Sequence, residues 1–224
     1  MQARRLCFSA IKQVEWESVE VPDAPGPYTA VIKARTSLIS VGTELAIYDG
    51  SHIGYTLDNP PFQLIPNHPG YALVGDILAA GDKVAGLNVG QRVLAQTSHA
   101  DAIEVDVRTT SVFPLPDRLT DAQGTLLRLA YIAMTAVRAA PLQLGETVVV
   151  YGQGLVGQLA AQLFLANGAG TVFGIDRLPE RLAIATRHGI RPLDASSSKV
   201  TEVILDETAG RGADVVVEAT GSPV

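Results

Sequence analysis

The residues best placed to do chemistry are three glycines. Gly152-Gln153-Gly154-Leu155-Val156-Gly157 spells the pattern G-x-G-x-x-G. Alone the pattern is weak. Here it follows an apolar run at 147–151 and opens a helical pattern at 155–167, the strand–turn–helix setting that gives it meaning. The first glycine then permits a tight turn, the second lets the backbone approach a pyrophosphate, and the third lets the helix pack closely on the strand. The helix start offers unpaired amides and a positive dipole end to phosphate oxygens. Asp176 ends the next apolar run, nineteen residues after Gly157. A carboxylate there suits the hydroxyls of an adenosine ribose and repels the extra phosphate of NADP. The expected cofactor is NAD. NADP stays possible because Arg177 and Arg181 follow. The cofactor candidates are Gly152, Gly154, Leu155, Val156, Gly157, Asp176, Arg177 and Arg181, joined by Ala219, Thr220 and Gly221 after a later strand.

Alternating strands and helices must carry this loop. Strands are read at 147–151, 171–175, 191–193 and 214–218, and helices at 155–167 and 179–188. Ser196 to Ser198 can cap another helix, reaching about position 209. Continuous apolar strands between helices indicate a parallel sheet covered on both faces, so a doubly wound α/β fold is expected. A full fold of that kind has six strands and about four are read here, so the chain is expected to be the N-terminal portion of a longer protein. A helix over 122–140, capped at Thr120 or Asp121 and stopped by Pro141, leads into this part.

The preceding stretch reads as short strands. Val31, Ile32 and Leu38–Ile39 fall in one β-rich segment, followed by strands at 71–78 and 92–96. Prolines at 22, 25, 27, 60, 61, 66, 69, 114 and 116 and glycines at 75, 81, 86 and 90 punctuate them. A barrel-like or sandwich domain over 1–121 is expected, then a dinucleotide-binding domain over 122–224.

Bulk properties remove several classes of function. A net charge of -6 speaks against nucleic acid and anionic membrane surfaces. Cys7 is the only cysteine, so neither an internal disulfide nor a multi-cysteine zinc site can form. No run approaches the roughly 18 apolar residues of a membrane helix. Positions 1–10 do not read as a signal peptide, so a cytoplasmic protein is expected.

On these residues the chain resembles the medium-chain dehydrogenase/reductase family. The further markers are Gly42-Thr43-Glu44-Leu45, Pro69-Gly70-Tyr71 with Val74-Gly75, Gly90-Gln91-Arg92-Val93 and Thr135-Ala136. The resemblance implies a GroES-like β-barrel domain, a Rossmann domain, a small-molecule alcohol or carbonyl substrate and a homodimer. Many members hold catalytic zinc, but the matching positions here are Val41, His68-Pro69 and about Leu127, and only His68 can ligate. The four-cysteine lobe between Val93 and Ile103 is missing too. The segment from Ser37 to Glu44, with Pro69-Gly70-Tyr71, is similar to a zinc-independent subgroup that includes enzymes like bacteriochlorophyllide 3-hydroxyethyl dehydrogenase. No zinc is therefore expected.

Without a metal, hydrogen-bond donors must polarise the substrate oxygen. The resemblance puts Thr43 at the relay hydroxyl, while Ala46 replaces a histidine that continues the relay in many relatives. Glu44 is a candidate base, or else a structural contact to backbone or arginine. Tyr131 is a candidate donor, with Tyr48 and Tyr71 behind it. His68 could act as acid or base. His52 and His99 are expected at the surface. The catalytic candidates are Thr43, Glu44, His68 and Tyr131. Three readings stand: an NAD-linked alcohol dehydrogenase, an NADPH-dependent quinone or enone reductase, and a non-catalytic dinucleotide-binding protein.

Overall fold

A computed structural model describes residues 1–60, 62–197 and 199–221. Pro61, Ser198 and positions 222–224 lie outside the described residues, and with Ser198 goes one of the expected helix-capping serines. The chain divides into two units, 1–128 and 129–224. The division falls inside a helix, later than the 121/122 boundary read from the sequence.

The first unit is β-rich. Strands β1 (Gln2–Ala10) and β2 (Gln13–Glu20) form an antiparallel hairpin. Strands β3 (Thr29–Ser37), β4 (Leu73–Ala80), β5 (Arg92–Ala95), β6 (Ala102–Asp106) and β7 (Val112–Pro114) form a sheet in the order β6-β3-β4-β5-β7, antiparallel throughout. Alternation along β3 sends Ala30 and Ile32 into one core with Leu73, Ile77, Val93, Ala95 and Val105. Val31 faces the other way and packs with Ala3, Val21 and Ala102, which seats the hairpin.

Two readings of this unit change. Leu38–Ile39 does not continue the strand. The chain leaves the sheet after Ser37, and Ile39 is 54% exposed ahead of helix α1 (Thr43–Asp49), which stops at Gly50 with φ 85°. The β1–β2 hairpin is an addition to the strands expected from the sequence. Its second strand alternates only over Gln13 to Glu17, with Val14 and Trp16 exposed, and the break at Ser18–Val19 cuts the period short.

Helix α2 (Asp121–Ala139) starts on a capping box. The Gln123 amide donates to Thr120 Oγ1 at 3.2 Å, and the Thr120 amide donates to Gln123 Oε1 at 2.9 Å.

The second unit alternates. In chain order it runs β8 (Thr147–Tyr151), α3 (Leu155–Ala166), β9 (Thr171–Asp176), α4 (Pro179–Arg187), β10 (Arg191–Asp194), α5 (Val200–Glu207) and β11 (Val215–Glu218). All strand pairs are parallel, in the order β10-β9-β8-β11. Val148, Val150 and Val172 meet Ala161, Phe164 and Ala185 on one face. Val149, Phe173 and Ile175 meet Ile204 on the other. Burial on both faces explains why these strands read as unbroken apolar runs. The order reverses between β8 and β11, which makes a switch point at the carboxyl ends of those two strands. The fold is therefore α/β, a β-rich unit followed by a partial doubly wound sheet. Among the described residues no helix is long and apolar enough to cross a membrane.

Phe164 is fully buried and Leu144 is 90% exposed. Phe164→Ala should cost about 3–5 kcal/mol in unfolding free energy. Leu144→Ala should stay within about 0.5 kcal/mol of the parent. Urea denaturation compares the two, and equal losses would refute this assignment of the core.

Candidate functional site

The glycine loop lies at the switch point. Gly152 has φ 83°, and a Cβ there would fall 2.6 Å from the Ala219 carbonyl carbon and 2.7 Å from the Thr220 amide nitrogen. A Cβ on Gly157 would fall 1.8 Å from the Gly152 carbonyl oxygen. The protein itself demands glycine at both positions. Gly154 is different. Its φ of -72° is open to any residue, and a Cβ there would meet nothing within 4 Å. It caps α3 with no side-chain hydrogen bond, so the helix supplies no carbonyl partner for the first-turn amides of Leu155, Val156 and Gly157.

Asp176 fixes this loop from below. Its carboxylate is 8% exposed. Oδ2 accepts from the Gln153 amide at 2.7 Å and from Arg181 at 3.3 Å, and Oδ1 accepts from the Leu178 amide at 3.0 Å. Burial pushes the carboxyl pKa up, and these hydrogen bonds outweigh it, so the group sits below the usual aspartate value. Arg177 is exposed, and the Arg181 side chain is 45% exposed. After β11, the Thr220 amide donates to Glu218 Oε1 at 2.8 Å, and Gly221 has φ 68°.

Two glutamines, one inside the motif and one just after it, carry structure that the glycine pattern does not specify. Gln153 is buried and donates from Nε2 to the Val150 carbonyl at 3.0 Å. It lies against Gly174, where a Cβ would come within 2.7 Å of its amide carbon. Gln158 donates to the Arg181 carbonyl at 2.8 Å and so ties α3 to the start of α4. Gln153 occupies an x position of the motif and Gln158 follows its last glycine, and the pattern specifies neither.

In the first unit, Thr43 begins α1 and is exposed. Glu44 is buried; it accepts from the Ser40 amide at 3.0 Å and pairs with His99 Nε2 at 2.8 Å. His99 Nδ1 lies 2.7 Å from Ser37 Oγ. The expected surface placement of His99 is wrong. The histidine is 5% exposed, because the Gly70 backbone packs directly onto its amide and both ring nitrogens find partners inside. His52 accepts from the Gly54 amide and caps a short 3₁₀ turn. Tyr48 donates to the Lys12 carbonyl at 3.2 Å, and Tyr71 lies under the Arg128 guanidinium. In the second unit Tyr131 is 65% exposed. It lines a shallow cavity of about 300 Å³ with Met134, Thr135, Arg138 and Ala139.

His68 Nε2 lies 2.8 Å from Glu17 Oε2, and Arg5 reaches the same oxygen at 3.2 Å. The Cys7 thiol first, then His68 and Arg5, hold the Glu17 carboxyl down at about 2. Burial pushes the Cys7 thiol up. Val41 is 66% exposed and Leu127 39% exposed, and neither side chain nor that of Pro69 carries a donor. Of the zinc positions implied by the resemblance, only His68 carries a donor, and one protein ligand does not make the three or four that catalytic zinc takes.

Residues 156–224 match the family described as zinc-binding dehydrogenase. The (R,R)-butanediol dehydrogenase of Bacillus subtilis is 28% identical over 95% of this chain and 69% of its own length. The D-guloside 3-dehydrogenase of Escherichia coli is 31% identical over 68% of this chain and 44% of its own. The chain thus spans less than half of that second relative. The crystal structure of 2R,3R-butanediol dehydrogenase from Bacillus subtilis superimposes with a TM-score of 0.82 at 26% identity, covering 99% of this chain and 71% of that one.

The depressed pKa of Asp176 ties the stability of this unit to pH. Its contribution to stability is complete above the unfolded value of about 3.9 and is lost as pH falls through the lower folded value. The stability gap between the parent and Asp176→Asn should be constant near neutrality and narrow below about pH 4. Urea midpoints at several pH values check this, and a gap that widens on acidification would refute it.

Proposed function

We propose that the chain, similar to zinc-binding-type alcohol dehydrogenases, binds NAD and transfers a hydride to or from an alcohol or carbonyl substrate without catalytic zinc. The observation that carries the cofactor reading is Gly154. Gly152 and Gly157 are explained by backbone crowding, whereas Gly154 faces open space in a conformation that any residue could adopt. A pyrophosphate lying against the loop accounts for glycine there. Asp176 supports NAD over NADP, since its carboxylate ends β9 beside the loop and is held ionised. Arg177 and Arg181 favour a second reading, an NADPH-dependent reductase, because an exposed guanidinium beside that carboxylate could take a phosphate.

NAD, when bound, supplies the hydride acceptor at its nicotinamide ring. The chain must then polarise the substrate oxygen and take its proton. Thr43 is the proposed donor, since its hydroxyl is exposed at the start of α1. Tyr131 is a second candidate, exposed at 65%. Glu44 and His68 are assigned no proton transfer here, because each is engaged with a partner inside its unit. Ile39, Val41, Leu45, Ile53, Leu57 and Phe62 are exposed around α1, which supports an apolar substrate. Zinc independence rests on Val41, Pro69 and Leu127, and turnover that survives exhaustive chelation would support it. Turnover abolished by chelation and restored by zinc in the Cys7→Ser variant as well would overturn it.

Fluorescence titration with NADH and NADPH tests the cofactor. NADH should bind more tightly than NADPH. Gly154→Val should weaken NADH binding at least tenfold while changing stability by about 1 kcal/mol or less. Unchanged affinity in that variant would overturn the reading. With an accepted substrate, Thr43→Val should lower kcat by about 10²-fold or more at unchanged NADH affinity.

A further inference from the structure

We propose that Cys7, Glu17 and His68 form a binding site for a zinc-class divalent metal, which shares only His68 with the zinc positions implied by the resemblance and takes its other two donors from the β1–β2 hairpin. One ligand atom from each of the three lies within 4.8 Å of the others, and among the described residues no second set of three histidine, cysteine or carboxylate donors converges in this way. Three separate segments build the site. Cys7 comes from β1 and Glu17 from β2, where the register sets Glu17 opposite Arg5, diagonal to Cys7 on the same hairpin. His68 comes from the loop before β4. That loop is bolted to the hairpin by paired backbone bonds, Phe8 amide to Asn67 carbonyl at 2.8 Å and Asn67 amide to Phe8 carbonyl at 3.1 Å.

The donor set selects the ion. Thiolate, imidazole and carboxylate together suit zinc and its neighbours, whereas magnesium and calcium call for oxygen alone. Tetrahedral zinc with bonds of about 2.0–2.3 Å sets its donors roughly 3.3–3.7 Å apart, so the cluster needs only a small contraction. Cys7 is buried at 2% exposure, while the Glu17 and His68 side chains are 41% and 34% exposed. The ion therefore has a path in from the solvent side, and water can fill the fourth position. Binding exchanges the thiol S–H bond for a metal–sulfur bond and releases that proton to solvent. A thiolate, a carboxylate and a neutral imidazole then balance the charge of the ion. A salt bridge alone would explain Arg5, Glu17 and His68 but not why the one cysteine of the chain points at the same carboxylate. The bound ion would clip the hairpin to the loop carrying His68.

The test is independent of the cofactor reading. The whole chain, reduced and stripped with chelator, is titrated with Zn²⁺ alone by calorimetry and with Co²⁺ by absorbance. The expected result is saturable uptake of one equivalent, release of about one proton per ion, a thiolate-to-cobalt charge-transfer band, and a higher Tm in the presence of metal. Cys7→Ser should abolish the band, and Cys7→Ser and His68→Gln should each weaken binding at least tenfold. His68→Gln changes a half-exposed loop residue and keeps the test decisive where Cys7→Ser fails to fold. Absence of saturable uptake, or equal affinity in the parent and His68→Gln, would overturn the proposal.

Discussion

The Gln153 amide meets the Asp176 carboxylate at 2.7 Å beneath the glycine loop, and the architecture of the second unit depends on that bond. Gly152 turns the chain through a positive φ where β8 and β11 part, and Gly157 presses onto the carbonyl of Gly152. A turn this tight leaves amides with nowhere to go inside it. Asp176 takes one of them from the end of the adjacent strand, and the same carboxylate takes the Leu178 amide at the approach to α4. One ionised side chain therefore joins two strand–helix junctions. The desolvation that would protonate it is offset by the hydrogen bonds it receives. The carboxylate proposed for a ribose is thus also the group that shapes the glycine loop, so a change at Asp176 alters the turn as well.

The second unit was legible because its signals are local and mutually consistent. The strand at 147–151 was read with the bounds it has, and the helix starts at Leu155 and Pro179 follow from glycine and proline punctuation. The first unit was less legible for a physical reason. Its hairpin, β1 with β2, packs through Ala3 and Val21 at its end, while β2 leaves Val14, Glu15 and Trp16 exposed. The alternation there spans only Gln13 to Glu17, and its apolar members are exposed rather than turned into a core. His99 was misread for a related reason. A histidine between Ser98 and Ala100 looks like loop surface, and only the long-range approach of Gly70, Ser37 and Glu44 buries it. Partners separated by 62 and 55 positions leave no trace in a local window.

The same long-range pairing changes the meaning of the histidine that the family resemblance singled out. A lone His68 beside Val41 and Pro69 reads as the remnant of a vanished zinc centre. The structure gives His68 a new neighbour, Glu17, from a strand the sequence did not reveal. Counting cysteines excluded every site that needs several thiols, and that conclusion stands. It does not reach a site that needs one.

Glu44 and Glu17 show one principle applied twice. Each is a carboxylate in the first unit set against a histidine at 2.8 Å, yet their surroundings differ. Glu44 and His99 are almost wholly enclosed, with side chains 4% and 7% exposed, and every polar contact is made inside the fold by Ser40 and Ser37. Such a network fixes the chain ahead of α1 and therefore the position of Thr43, the next residue along. Glu17 and His68 remain a third or more exposed, with a buried thiol behind them and solvent in front. An enclosed pair has its partners already and can only hold geometry. A half-open set with three different donor atoms has room for a fourth participant, and that difference in burial separates the scaffold of this unit from the part of it able to take a ligand.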